Sequence, residues 1–335
     1  MARTILHFPK KISVIESAAV TGELEAKGPL GSYFDLTSPD SKFGMDTWEK
    51  AEAEMVRECS EAVLKKSNLK YDDIDFALGG DLTNQCAATT FGLKDKYIPH
   101  IGLYGACSTF ALSLGMGAIS LTAGLGDTAL CLSSSHYCSA ERQYRFPLEY
   151  GCQRTPTAQT TVTGAGGAIL KADGKGEVVI TEFFPGIVRD QGITDANNMG
   201  AAMAPACCDT LLRYFEESGL SPDDFDGIYT GDLGFEGHQL LVELCSNQGL
   251  KLGKNATDCG MLIYDAKDQK VSAGGSGCGC SASVFCGYLY RKMKEGLLSN
   301  ILLIGTGALL NANTVLQKET IPGVAHLIRI QKEKI

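Results

Sequence analysis

Cys107 stands in the turn Gly105-Ala106-Cys107-Ser108-Thr109, directly ahead of an apolar run from Phe110 to about Ala123. A cysteine at a helix start meets unpaired backbone N–H groups and the positive end of the helix dipole, which favour a thiolate. The same N–H groups suit a bound carboxylate equally well. Nucleophile and anion pocket are therefore both open chemistries for this turn. A second Gly/Cys turn, Gly277-Cys278-Gly279-Cys280-Ser281, precedes another apolar helix. His136 follows an apolar strand and is placed either at the rim of a pocket or as a hydrogen-bonded structural histidine. Arg142, Arg145 and Arg154 share a polar loop with Glu141, Tyr144, Glu149 and Tyr150. That loop reads as a guanidinium fork matched to a carboxylate, or as a solvated or dimer-interface segment. His238 reads as a surface-loop residue and His326 as part of a core strand.

The elements that position these residues occur twice. Tyr71 to Leu82 reads as an acidic turn and a strand, and Pro222 to Leu233 reads the same way, ending in Asp81-Leu82 and Asp232-Leu233. Asp232 is thus the symmetric mate of Asp81. An amphipathic helix precedes each copy, over Trp48 to Lys66 and over Pro205 to Ser218, with Pro205 suited to a first helical position. Each Gly/Cys turn leads into a helix and a strand, and Gly124 and Gly296 close the two helices. Alternating strands and helices imply an α/β fold of sheets with helices on their faces. The halves divide at 1–172 and 173–335, around Ala172-Asp173-Gly174. The helix after Cys107 is apolar nearly all round, so it must be covered on every side. That favours one packed duplicate over two independent domains.

Composition narrows the partners. The chain has 335 residues, 44% apolar and 21% charged, and a net charge of −9. These values describe a globular protein and argue against nucleic acid as the main partner. The thirteen cysteines are an odd set at irregular spacing. With no apolar export signal near Met1, they read as reduced thiols in the cytosol. Neither Cys207-Cys208 nor Cys278-x-Cys280 has the second pair or the histidines of a zinc site. Tyr97 to Gly126 lacks charged residues. Its Pro99, Gly102 and Gly105 break it into strand, turn and buried helix, so any membrane association is peripheral.

The duplicated strand, Cys turn and buried helix resemble the thiolase and β-ketoacyl-synthase superfamily. The resemblance extends to a sporulation family within it, the thiolase-like SpoVA group of spore-forming bacteria. It is carried by Gly79-Gly80-Asp81-Leu82-Thr83-Asn84-Gln85, by Ser134-Ser135-His136 with Ala140 to Arg145, by Thr161-Val162-Thr163-Gly164, by Asn198 to Ala206 and by Ala273 to Cys278. It runs from about Gly28 to His326. It implies a duplicated thiolase-like fold, no established condensing activity and no cofactor. It also implies a part in taking up dipicolinic acid (pyridine-2,6-dicarboxylate), with calcium as part of the ligand, into the developing spore. The implied partners are the other SpoVA proteins at the inner membrane of the forespore or spore, the chain lying on its cytoplasmic face. The superfamily usually pairs through the halves that carry the nucleophile, so a homodimer is expected.

Two readings of the site follow. A condensing enzyme needs a base and an oxyanion stabiliser from the second half. In related synthases a histidine follows the strand that here ends Tyr229-Thr230-Gly231-Asp232, and this chain offers Gly231 and Asp232 instead. The first reading is therefore a binding protein. Cys107, Cys278, His136, Arg142 and Arg145 would line its pocket, and Tyr104, Phe110 or Tyr144 would form the slot for a flat ring. Asp81 and Asp232 would be oxygen ligands for calcium. The second reading is a thiolase-like acyltransferase using Cys107, with His136 or Cys278 as an unusual partner.

Overall fold

A computed structural model describes residues 4–144 and 155–333. Arg145 and Arg154 lie outside the described residues. Ten strands form one mixed sheet: β1 (Leu6–Thr21), β2 (Phe76–Asp81), β3 (His100–Gly102), β4 (Thr128–Ser135), β5 (Gly164–Ala172), β6 (Val178–Phe184), β7 (Gly227–Thr230), β8 (Ala256–Asp258), β9 (Asn300–Ala308) and β10 (Gly323–Lys332). A further short strand, Leu36–Thr37, pairs beside β1. Across the sheet the order is β8-β7-β9-β10-β6-β1-β5-β4-β2-β3.

That order is a palindrome of roles. Outward from the β6–β1 seam, the first half runs β1-β5-β4-β2-β3 and the second β6-β10-β9-β7-β8. Each half has an antiparallel inner pair of ladders and parallel outer strands. The two repeats noted in the sequence occupy equivalent positions, β2 with β7 and β4 with β9.

The helices used below are α1 (Trp48–Ser67), α2 (Thr109–Thr122), α3 (Tyr137–Tyr144), α4 (Met199–Ser218), α5 (Gly234–Asn247) and α6 (Cys278–Ser283). α6 continues through a π-helical stretch, Val284–Leu289, into Tyr290–Lys294. The helix expected from Pro205 begins earlier, at Met199. Asn198 caps it by accepting from the Ala201 N–H at 3.2 Å, and Pro205 lies inside it. The missing N–H at Pro205 removes one bond from a helix that its buried face still holds. His238, read as a surface-loop residue, is a half-buried member of α5.

α2 explains its own composition. A Cβ on Gly117 would strike Cys131 and Leu170 of the first half, and one on Gly115 would strike Phe183 of the second. On another side Phe110 packs on Phe285 of the π-helical stretch, ring centroids 5.8 Å apart. Both halves cover most of this helix, but Leu112, Met116 and Ile119, at i, i+4 and i+7, form a stripe that stays half-buried, so the cover expected on every side is incomplete.

Candidate functional site

The Cys107 turn is built from strained backbone and short side-chain bonds. Ala106 has φ 50°, in the left-handed region that an alanine seldom adopts. The Ser108 hydroxyl donates to the Gly105 carbonyl at 2.6 Å, the Thr109 hydroxyl to the Ala106 carbonyl at 2.6 Å, and the Gly105 N–H to the Thr109 hydroxyl at 3.1 Å. These bonds fix the turn and present Cys107 one residue ahead of the α2 cap, Ser108. Gly307 of β9 closes over it, because a Cβ there would meet the Gly105 carbonyl at 2.4 Å.

Cys107 reaches a narrow pocket formed where the halves meet. Leu82, Tyr104, Ala140 and Tyr144 line one side, and Met199, Ser276, Gly277, Ala308 and Leu310 the other. None of the described lining residues carries a charge. The Tyr144 hydroxyl donates to the Leu82 carbonyl and lies 3.2 Å from the Tyr104 hydroxyl, so the two rings are fixed together at the rim. Phe110, the third ring considered for the slot, is wholly buried in the core and does not reach the pocket.

Asp232 is the polar centre beneath the pocket. Its carboxylate accepts from the Gly277 N–H at 2.8 Å and the Thr306 hydroxyl at 2.7 Å. Burial pushes Asp232 up to about 6, against the lowering effect of these donors. Cys107 is pushed well above the ordinary thiol range, first by its own burial and then by the Asp232 carboxylate. The Gly277 N–H pulls the other way but does not prevail. The helix-start argument for a thiolate is thus opposed here by desolvation first and by the Asp232 charge second. At the strand end where related synthases carry a histidine, this chain places Asp232.

Asp81, the symmetric mate, is wholly buried and saturated. It accepts from the Thr83 N–H at 2.9 Å, from the Thr83 hydroxyl, and from the Thr89 N–H and hydroxyl, each at 2.7 Å. Asp81 thus locks the turn that follows β2, whereas Asp232 ties the end of β7 to the second Gly/Cys turn and to β9. Among the described residues no group of three or more His, Cys, Asp or Glu is arranged to hold a metal ion.

The other expected residues divide. Cys278 joins Cys107, Leu82 and Ala140 in one small buried cluster, and its thiol donates to the Ser134 carbonyl at 2.9 Å. His136 takes the structural role. It is buried, its Nε2 lies 2.7 Å from the Ser41 carbonyl, its Nδ1 accepts from the Cys138 N–H, and burial lowers its pKa. It borders a different groove and does not line the Cys107 pocket. Arg142 is exposed and pairs with Glu49 at 3.2 Å, away from the pocket. His326 is part of β10, accepts from the Gly186 N–H at Nδ1, and is pushed down to about 4 by burial.

Sequence reasoning missed Glu52. It is wholly buried, accepts from the Ser134 and Ser139 hydroxyls at 3.2 and 2.6 Å, and is raised to about 8 by burial and then by Asp81. The signal was present, because position 52 falls three, four and seven residues before Met55, Val56 and Cys59, on the apolar face of α1. Asp258 was missed as well. It accepts from the N–H groups of Leu233, Gly234 and Gly260 and is raised to about 7.

Comparison with known proteins agrees with this geometry. Two solved structures are similar over nearly their whole length at low identity. A variant of OleA from Xanthomonas campestris matches with a TM-score of 0.63 at 12% identity, covering 97% of this chain and 100% of that one. The 3-oxoacyl-[acyl-carrier-protein] synthase III of Aquifex aeolicus matches with a TM-score of 0.58 at 12% identity, covering 96% and 99%. They show the thiolase-like fold. Stage V sporulation protein AD of Bacillus subtilis is 40% identical over 319 residues, covering 95% of this chain and 94% of that one. The family model for stage V sporulation protein AD (SpoVAD) matches residues 2–331. A thiolase-like frame and a sporulation relative matched along almost the whole chain together place this protein in the SpoVAD family.

Proposed function

We propose that this protein binds dipicolinic acid, carried with calcium, and serves its uptake into the developing spore alongside the other SpoVA proteins at the inner membrane. The observation that carries the reading is the buried Asp232 carboxylate, held by the Gly277 N–H and the Thr306 hydroxyl beside the Cys107 pocket, at the strand end where related synthases carry a histidine. A thiol held protonated by a buried carboxylate is a poor nucleophile, so the pocket is better suited to holding a ligand than to acyl transfer. Tyr104 and Tyr144 supply flat walls for an aromatic ring. Because the lining residues described are uncharged, the carboxylates would be matched by arginines beyond them. Arg145 and Arg154 are the candidates by sequence, in place of the surface-paired Arg142. Among the described residues no helix is long and apolar enough to cross a membrane, which fits a peripheral site of action. The homodimer expected from the superfamily would form through the free side of β3, where Ile101 is 46% exposed. Sedimentation velocity should give twice the monomer mass.

Titration calorimetry with pyridine-2,6-dicarboxylate, with and without calcium, tests the proposal against the 3,5-isomer. Binding of the 2,6-isomer alone is expected. Equal or absent heat for both refutes it. The competing acyltransferase reading draws on the fold and on Cys107 opening into an apolar pocket. It requires an acyl adduct on Cys107 after incubation with acyl-CoA donors, read by intact mass.

A further inference from the structure

Away from the pocket, α4 and α5 pack closely. A Cβ on Gly237 would lie 2.8 Å from the Gly200 Cα, so the two backbones touch there. Eight residues further along each helix, about 12 Å on, stand Cys208 and Cys245. The equal step shows that the helices run in the same direction. The two sulfurs are 3.5 Å apart, the Cys245 thiol donating to Cys208. That donation favours the thiolate at Cys208 and lowers its pKa. Cys245 is fully buried, and Cys208 keeps 6% exposure beside Asp209 on the outer turn of α4.

We infer that Cys208 and Cys245 form an oxidation site, closed to a disulfide by a small peroxide. A disulfide places its sulfurs about 2.05 Å apart, so the pair must approach by about 1.5 Å. The Cys208 thiolate attacks one peroxide oxygen and becomes a sulfenic acid, releasing hydroxide. The Cys245 thiol then attacks that sulfur, the S–S bond forms, and the sulfenic oxygen leaves as water. In sum, two thiols and one hydrogen peroxide give one disulfide and two waters. The link braces the pocket wall, because α4 begins at Met199, which lines the pocket, and α5 begins two residues after Asp232.

The test treats the folded protein with hydrogen peroxide, blocks remaining thiols with N-ethylmaleimide and maps tryptic peptides without reduction. Cleavage after Arg189, Arg213 and Lys251 leaves Cys208 on the peptide 190–213 and Cys245 on 214–251. The expected result is these two peptides joined, separated again by dithiothreitol, with a raised urea midpoint in the linked protein. The join should persist in C207S and vanish in C208S and C245S. No joined peptide in the wild type, at a dose that oxidises the more exposed Cys138, overturns the inference. So does a join that survives C208S, or a linked protein with a lowered midpoint.

Discussion

Replacing Asp232 by Asn should wake the Cys107 thiol. The substitution keeps the size of the side chain and an acceptor for the Thr306 hydroxyl, but removes the negative charge that raises the thiol. Two unit charges about 4 Å apart at an effective dielectric near 20 repel by about 4 kcal/mol. Even a third of that, allowing for relaxation and for the partial protonation of Asp232 near pH 6, raises the thiolate population about 10-fold. Above pH 7 the Asp232 carboxylate is mostly ionised, so the contrast is greatest there. The assay is the rate of iodoacetamide modification of Cys107 at pH 8, followed by peptide mass spectrometry with Cys138 as an internal standard. An increase of about 10-fold or more over wild type is expected. An unchanged or slower rate in a variant with wild-type circular dichroism would refute the claim that Asp232 holds the thiol protonated.

Two further outcomes follow from the same site. Asp232, Asp258 and Glu52 are raised to about 6, 7 and 8, so each binds its proton more tightly folded than unfolded. Their contribution is fully present below the unfolded carboxylate range and is lost as pH rises through these values. Histidines held neutral by burial (His100, His136, His238 and His326) act in the opposite direction over the same range, so the acid contribution is isolated by comparison with Glu52→Gln. Between pH 5.5 and 7.5 the urea stability of wild type relative to that variant should fall with rising pH, by about 1.4 kcal/mol per unit for the one extra proton held by the native state. A difference between the two proteins that stays flat or rises would show Glu52 to be ionised in the fold. Gly277→Ala should be strongly destabilising, by about 2 kcal/mol or more. Gly277 has φ 99°, and a Cβ there would meet the Ser135 hydroxyl at 2.6 Å. Thermal melting of G277A measures it, and a wild-type midpoint would show that the turn relaxes at no cost.

Much of the frame is legible in the sequence because duplication leaves a pattern that does not depend on folding. The paired acidic turns at Tyr71 and Pro222 and the paired Gly/Cys turns mark equivalent strands, and the all-round apolar helix after Cys107 announces burial by both halves. Local signals also mislead. Pro205 suits a helix start, but the cap lies at Asn198, and a proline seven positions into a well-buried helix is tolerated. His136 and Arg142 read as pocket residues by order along the chain. Only the fold shows that the first turns toward Ser41 and the second toward Glu49.

What the sequence by itself determined is the type of molecule: a duplicated α/β chain with a cysteine at a helix start and an aspartate after each repeated strand. Spacing and periodicity are local quantities, and they fix which elements exist. The tertiary structure decided the state of the cysteine. Whether Cys107 is a thiolate or a thiol depends on the balance between one helix end and the burial and anion that residues 125 or more positions away bring to it. Asp232, which Thr306 holds, and Gly277 come to Cys107 only because the halves close on one another. The energy of a charge is set by what surrounds it in space and not by its neighbours in the chain.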